Sequence, residues 1–190
     1  MNPIIYLAKK TIEIWVKKKK IPEFPKDFPL LKQKEINYFL NPENRKGVFV
    51  SIYKKQNNSK ELRGCIGTPF PIYENLAQEI IYNAIAAASR DPRFNPIEEN
   101  ELKDLFISVD LLSLPKLIPD LKNHDPKKFG LLVKASDGRS GLLLPDIEGI
   151  ETGSQQLEIA LKKAGILPTE PYFLFRFEVE RYKEKDLFKN

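Results

Sequence analysis

GVFVSIYKKQNNSKELRGCIG, the stretch from residue 47 to residue 67, contains two strand-forming segments separated by a turn. Residues 47–53 and 61–67 have the apolar, β-branched and aromatic content that favours strands. Asn57-Asn58-Ser59 lies between them and is typical of a turn. The stretch therefore predicts a β-hairpin. Hairpins interspersed with several helices indicate an α+β fold with a mostly antiparallel sheet, rather than a doubly wound parallel sheet.

The rest of the sequence supplies the helices and further strands of this α+β pattern. Asn2-Pro3 begins a helix expected to run to about residue 20, because asparagine caps helices and proline suits their first turn. Prolines at positions 22, 25 and 29 then predict an extended segment. The remaining predicted helices cover residues 73–89, 98–104 and 154–164, and the remaining strands cover 106–114, 129–135, 140–144 and, as one long strand, 172–182.

Length and composition limit the classes of protein that this chain can be. Its 190 residues fit a single domain spanning residues 1–190, or a larger domain with a small lobe. One cysteine excludes an internal disulfide framework, and one cysteine with one histidine excludes a zinc site of the usual nitrogen and sulfur ligands. The sequence contains no tight acidic cluster that would predict an oxygen-ligand metal site. It also contains no glycine-rich phosphate loop that would indicate a nucleotide cofactor.

The apolar segments are too short for a membrane span, which needs roughly 20 residues. Near the start of the chain, the apolar residues 4–8 precede Lys9-Lys10. A secretory signal has the opposite order, with its charges before the apolar stretch. We therefore expect a cytoplasmic protein without a membrane partner.

Positive charge is concentrated at one end of the chain. The net charge is +5, and residues 1–34 contain nine lysines and three acidic residues. The densest run is Lys17 to Lys20, which could bind phosphate or nucleic acid. The alternative is a solvated helix end whose lysines offset the negative pole of the helix dipole. We favour the second interpretation, because no aromatic residues are interleaved with the lysines.

The motif Leu62-Arg63-Gly64-Cys65-Ile66-Gly67 holds the single cysteine and is the candidate functional centre. Because side chains alternate along a strand, Arg63 and Cys65 are expected to share a face that looks into a cleft or solvent. A guanidinium beside a thiol favours the reactive thiolate. Gly64 and Gly67 would leave backbone amides open to a ligand.

A structural interpretation of the same motif competes with the functional one. A lone cysteine is usually a small buried apolar residue, and the glycines can mark a bulge or a tight strand crossing. His124 is the only histidine that could act as a base for Cys65. It belongs to a polar loop, which favours a hydrogen-bonded or exposed histidine instead.

The loop Arg90-Asp91-Pro92-Arg93-Phe94 is the second candidate site. Its arginines could bind phosphate or carboxylate through two parallel hydrogen bonds. They could equally cap the preceding helix or pair with Asp91. The candidate ligand-binding residues of the chain are Gly64, Gly67, Thr68, Asp91 and Arg93, and the candidate catalytic residues are Cys65 and Arg63.

Several segments together resemble the AMMECR family, named after the Alport syndrome, intellectual disability, midface hypoplasia and elliptocytosis chromosomal region. The resemblance is carried by ELRGCIGT at 61–68, SRDPRF at 89–94, ISVDLL at 107–112 and GLLLP at 141–145. It implies an α+β fold with a larger and a smaller lobe, and a motif near a surface cleft. The family has no firmly established reaction. Its prokaryotic members are associated with Memo-like and radical-SAM proteins, which implies partners in a shared pathway.

Three functional hypotheses follow. The first is an enzyme or enzyme component that acts on a small anionic, nucleotide or RNA substrate. In it Cys65 is the nucleophile or general acid, Arg63 its activator and Arg93 an anion anchor. The second is a non-catalytic module that binds a ligand or a protein in the same cleft. The third is nucleic-acid binding through the N-terminal lysines.

Overall fold

The computed structural model describes residues 2–56 and 59–184, and the chain divides into two compact units. Unit 1 is formed by Met1–Leu111 and Arg181–Asn190, and unit 2 by Leu112–Glu180. Each unit combines helices with a four-stranded sheet whose assigned strand pairs are antiparallel. The predicted α+β class is therefore confirmed. In the described ranges, no helix is long and apolar enough to span a membrane.

The regular elements form short runs of helices and of strands along the chain, as is typical of an α+β protein. The helices are α1 (Pro3–Lys18), α2 (Gln33–Leu40), α3 (Leu76–Ser89) and α4 (Gly153–Ala164), with 3-10 helices at Pro42–Asn44 and Glu99–Asp104. The strands are β1 (Gly47–Gln56), β2 (Ser59–Thr68), β3 (Leu105–Leu112), β4 (Lys116–Ile118), β5 (Gly130–Ala135), β6 (Ser140–Leu143), β7 (Tyr172–Phe177) and β8 (Val179–Lys183).

Unit 1 consists of a sheet of order β2-β1-β3-β8 with α1 and α3 packed together over its apolar face. Alternate residues of β1 point to the helices, and Val48, Val50 and Ile52 are fully buried there. The side chain of Asn2 accepts a hydrogen bond from the backbone of Ile4, which confirms the predicted start of α1. The core holds Ile5, Leu7, Ile12, Ile80, Ala84, Ile107, Val109 and Leu111, among others.

Unit 2 consists of a sheet of order β4-β7-β5-β6 with α4 packed on β5 and β6. The predicted hairpin of β5 and β6 is present, with Val133 opposite Gly141. Gly165 ends α4 in the left-handed conformation, at a φ of 64°. The core of this unit includes Leu131, Val133, Ala160, Leu161 and Ile166.

The predicted hairpin of residues 47–67 is also confirmed, since β1 and β2 pair antiparallel along their whole length. Asn57 and Asn58 of its predicted turn lie outside the described residues. One expectation is wrong: residues 172–182 form two strands in different sheets, separated at Glu178. The backbone of Glu178 leaves the strand pattern and exchanges hydrogen bonds with Ser113. Helix α2 and strand β4 were not predicted.

Candidate functional site

Strand β2 carries the motif of residues 62–67 along one edge of the unit 1 sheet. Its pairing with β1 shifts in the middle of that motif. Gly64 lies opposite Ile52, but the next residue of β1, Tyr53, lies opposite Leu62. Arg63 therefore has no partner across the strands and forms a β-bulge. A bulge interrupts the alternation of side chains on which the expected shared face of Arg63 and Cys65 depends.

The guanidinium of Arg63 is fully engaged by the loop and 3-10 helix that follow α3. Its Nε and Nη2 donate to the two carboxylate oxygens of Glu101 at 3.0 and 2.9 Å, and its Nη1 donates to the carbonyl of Asn95 at 2.8 Å. Lys54 binds the same carboxylate at 2.9 Å. The Arg63 guanidinium is the main reason that the pKa of Glu101 falls to about 2. Arg63 thus holds the loop against β2, and the bonds found for its guanidinium among the described residues go to that loop and not to the Cys65 thiol, so its activating role stays a prediction.

Cys65 is half-buried, and its thiol contacts the neighbouring strand rather than Arg63. The hydroxyl of Ser51, its cross-strand partner, donates to the sulfur at 3.2 Å. Burial raises the pKa of the Cys65 thiol, and the charges of Asp110 and Asp91 raise it further. The Ser51 hydrogen bond and the charge of Arg93 act in the opposite direction without overcoming burial. The thiolate expected from the sequence is therefore disfavoured.

Asp91 connects the loop after α3 to the edge of β2 at Cys65. Its carboxylate accepts the backbone N–H of Cys65 at 2.8 Å, and its side chain is only 2% exposed. It also accepts the Nε and Nη2 of Arg93 at 2.9 and 2.7 Å. Arg93 is the first cause of a pKa of Asp91 well below the usual range. The loop thereby brings Arg93, not Arg63, to the neighbourhood of the thiol.

Arg93 keeps part of its guanidinium available although it is paired with Asp91. The side chain is 56% exposed, and the pair uses only Nε and Nη2. Among residues 2–56 and 59–184, no hydrogen-bond partner is found for its Nη1. The sequence left two roles open for Arg93, pairing with Asp91 and anion binding. The geometry is compatible with both at once.

Neighbouring protein atoms pack closely against both glycines of the motif. A Cβ on Gly64 would lie 2.2 Å from the carbonyl oxygen of Ala87, so α3 approaches the sheet too closely for any side chain. A Cβ on Gly67 would lie 2.3 Å from the ring of Phe49. The space on the side-chain side of both glycines is therefore filled, whereas contact of the Gly64 and Gly67 amides with a ligand stays a prediction.

Thr68 faces α3 and belongs to a buried polar cluster. Its hydroxyl donates to the carboxylate of Glu79, which is 1% exposed. The same carboxylate accepts the backbone N–H groups of Ile72 and Tyr73, both at 2.9 Å. This cluster fixes the chain between β2 and α3. In the described part of the chain, the side-chain bonds of Thr68 go to this cluster and not to Cys65 or Arg93, and its expected ligand-binding role stays a prediction.

The remaining candidates lie elsewhere. His124 belongs to unit 2, where it is buried and its Nε2 contacts the side-chain oxygen of Gln156. At the end of α1, Lys17 pairs with Glu13 at 3.1 Å and Lys20 with Asp27 at 3.3 Å. Within the described part of the chain, no group of His, Cys, Asp and Glu could hold a metal ion.

Comparison with known proteins decides the family. A family model described as AMMECR1 matches residues 5–186. The chain belongs to the AMMECR1 family. A Thermotoga maritima protein is 49% identical over 142 residues, covering 74% of this chain and 79% of that protein. The crystal structure of an uncharacterized protein from Pyrococcus horikoshii, 32% identical, superposes with a TM-score of 0.80 and covers 96% of this chain and 90% of that one.

Two further relatives show how this AMMECR1 chain compares in length. A Methanosarcina barkeri protein is 35% identical over 195 residues, which covers 96% of this chain and 89% of that protein. A Clostridium acetobutylicum protein is 48% identical over 141 residues, which is 74% of this chain but only 29% of that protein. The clostridial relative therefore contains a large amount of sequence outside the matched region.

Sequence reasoning missed two polar groups of the AMMECR1 sheet. Asp110 on β3 is 3% exposed and pairs with Arg181 on β8 through two bonds of 2.8 and 3.0 Å. Asp110 also acts on the pKa of Cys65, so it belongs to the same environment. The other group is Ser51. The available signal was one charged residue, Asp110, inside the mostly apolar strand 105–112, since a buried charge requires a partner.

Cys65 is expected to react slowly with a thiol reagent in the native state. Because burial raises its pKa, the rate should keep rising beyond about pH 8.5, where an ordinary thiol has reached half of its maximum. The measurement is the rate of disulfide exchange with Ellman's reagent between pH 6 and 10, native and in denaturant. Cys65→Ser is the blank, because the chain has one cysteine. A native rate that levels off below pH 8 would contradict the expectation.

Proposed function

We propose that this AMMECR1 domain is a binding module that holds an anionic group of a ligand at Arg93, beside a neutral Cys65 thiol. The observation that carries the proposal is the Asp91–Arg93 pair. A buried carboxylate fixes a guanidinium whose side chain is more than half exposed. A positioned guanidinium is well suited to carboxylate or phosphate, because it loses little freedom when it binds.

Arg93 can bind an anion although it is paired with the negative charge of Asp91. The carboxylate also accepts the backbone N–H groups of Cys65 and Arg93, at 2.8 and 3.1 Å. These dipoles share in stabilising its negative charge. A ligand can approach Nη1 from solvent, whereas Asp91 lies behind the guanidinium with 2% of its side chain exposed.

The environment of Cys65 favours binding over covalent chemistry. Burial disfavours a negative charge on the sulfur, and the carboxylates of Asp110 and Asp91 oppose it further, which outweighs the opposite effect of the Ser51 hydrogen bond. A nucleophilic cysteine usually needs a lowered pKa or an adjacent base. A neutral thiol can still contact a bound ligand. The enzyme hypothesis through Cys65 and Arg63 therefore ranks second, and small anionic, nucleotide and RNA ligands are the probes to test.

Replacing Arg93 with glutamine is expected to weaken anion binding about tenfold or more, because it removes a charge-assisted hydrogen bond. The measurement is the thermal shift of the full chain with phosphate, pyrophosphate, AMP, ATP and citrate, since a ligand that binds the native state raises its melting temperature. Arg93→Lys should be intermediate. Arg90→Gln is the matched control, because Arg90 is an exposed arginine of the same loop.

Two outcomes would contradict the binding proposal. The first is an equal thermal shift in Arg93→Gln and in the parent chain. The second is loss of binding in Cys65→Ser together with a fast reaction of the native Cys65 thiol in the parent chain. That result would favour the enzyme hypothesis, in which the sulfur reacts. Retained binding in Cys65→Ser supports the module, because a hydroxyl can replace a neutral thiol as a contact.

Partners and location remain proposals. Memo-like or radical-SAM proteins are the partners that the family resemblance implies, and a cytoplasmic location is proposed with them. The clostridial relative offers a direct probe, because most of its length lies outside the match. That remainder, expressed by itself, can be tested for binding to this chain. Nucleic-acid binding ranks last, because Glu13 and Asp27 already pair with three of the N-terminal lysines.

A further inference from the structure

Unit 1 contains a cleft that shares no lining residue with the Cys65–Arg93 site. Its volume is about 500 Å³, within the range of small-molecule sites. It lies between α1 and the 3-10 helix Glu99–Asp104, and the start of β3 forms its floor. The lining residues are Lys9, Ile12, Glu13, Lys17, Glu99, Asn100, Leu102, Lys103, Leu105 and Ile107.

The walls of this cleft are apolar at the bottom and charged at the rim. Ile12 from α1 and Leu105 and Ile107 from β3 belong to the hydrophobic core, and Leu102 packs against it. Ile12, Leu105 and Ile107 are at most 4% exposed, so the hydrocarbon surface that a ligand can reach is that of the partly buried Leu102 and of the lysine stems around it. Such a surface favours a ligand with an apolar body, because burying apolar area is favourable at about 25 cal/mol per Å².

The rim charges leave one positive charge unbalanced. Lys9 pairs with Glu184, and Glu13 holds both Lys10 and Lys17. The rim also has Glu99 and Lys103, so four lysines face three glutamates. Among the residues that the structure describes, no carboxylate is found within ion-pair distance of Lys103. Its ammonium is therefore the cation that a ligand can use without breaking an existing pair.

We propose that this cleft binds a small monoanion with an apolar body, such as a medium-chain or aryl carboxylate, with its acid group at Lys103. One negative charge balances the rim, whereas a second would face Glu99 and Glu13 without a free cation. A neutral ligand would gain the apolar contacts but leave Lys103 unpaired. Recognition therefore combines one ion pair with an apolar floor.

The test uses two dyes of nearly the same shape on the full chain. The first, 1-anilinonaphthalene-8-sulfonate, is a monoanion, and the second, N-phenyl-1-naphthylamine, is uncharged. The anionic dye should bind with increased fluorescence, and octanoate should displace it at a lower concentration than octanol does. Lys103→Gln should weaken the anionic dye about fivefold, the effect of an ion pair worth about 1 kcal/mol. It should leave the uncharged dye unchanged.

Matched variants decide where the dye binds. Lys34→Gln, an exposed lysine outside the cleft, should leave the affinity unchanged. Arg93→Gln should also leave it unchanged, which separates this cleft from the proposed anion site at Arg93. The proposal is overturned if no anionic dye binds, if Lys103→Gln has no effect, if octanol displaces as well as octanoate, or if Arg93→Gln abolishes binding.

Discussion

Gly64→Ala is expected to lower the free energy of unfolding by about 3 kcal/mol, because an added methyl group has no space in the native packing. Its Cβ would lie 2.2 Å from the carbonyl oxygen of Ala87 and 3.2 Å from the carbonyl carbon. Both are backbone atoms of α3, so a side-chain rotation cannot relieve the contact. The helix must move away from β2 and loosen the core of unit 1.

The measurement is urea unfolding followed by circular dichroism, with thermal unfolding as a second readout. A loss of this size corresponds to a melting temperature lower by roughly 6–12 °C for a chain of this length. Gly153→Ala is the matched control, since a Cβ there would meet its nearest atom at 3.4 Å. Gly153 begins α4, where alanine favours the helix. Equal stability of Gly64→Ala and the parent would show that α3 is not held as closely as the structure indicates.

The helix ends that the sequence predicted correctly depend on local signals. The start of α1 depends on Asn2 and Pro3, and the end of α4 depends on Gly165; each acts on neighbouring residues only. Strand pairing depends on distant residues instead. The bulge at Arg63 comes from the register of β2 against β1, and the break at Glu178 comes with its hydrogen bonds to Ser113. Neither is visible in the alternation of one strand.

The contacts of the candidate site likewise depend on residues that are distant in the sequence. The sequence predicted the loop around Arg93 and the motif around Cys65 as separate features, and it assigned Arg63 to the thiol. The buried carboxylate of Asp91 joins that loop to the edge of β2 across 26 residues of sequence. Helix α2 was missed for a different reason. It buries only Phe39, so it lacks the apolar stripe that predicts a helix.

Glu101→Gln is expected to lower the free energy of unfolding by about 3 kcal/mol at neutral pH. It should also make the free energy of unfolding depend less on pH in the acid range. The pKa of Glu101 is lowered from 4.5 to about 2, first by Arg63, while its side chain is 12% exposed. Each pKa unit corresponds to about 1.4 kcal/mol. Because the folded pKa lies below the unfolded one, the carboxylate stabilises the fold above about pH 4.5, and this stability is lost as pH falls through about 2.

The measurement is urea unfolding of the parent chain and Glu101→Gln at several pH values between 2 and 7. The two curves should converge at the acid end, because the parent carboxyl is then protonated. Glu43→Gln, an exposed acid of the 3-10 helix Pro42–Asn44, should follow the parent curve at every pH. Curves for Glu101→Gln and the parent that stay parallel from pH 7 to 2 would contradict the assigned cause.

Arg63→Gln separates the structural role of this arginine from a catalytic one. It leaves the Glu101 carboxylate with Lys54 and the backbone N–H of Glu98 but without its guanidinium partner, so we expect a loss comparable to that of Glu101→Gln. The double variant should cost less than the sum, because both changes remove one interaction. Since Arg63 holds the loop but does not contact the thiol, anion affinity measured well below the melting temperature should stay within about twofold. Unchanged stability with lost affinity would instead make Arg63 a ligand-binding residue.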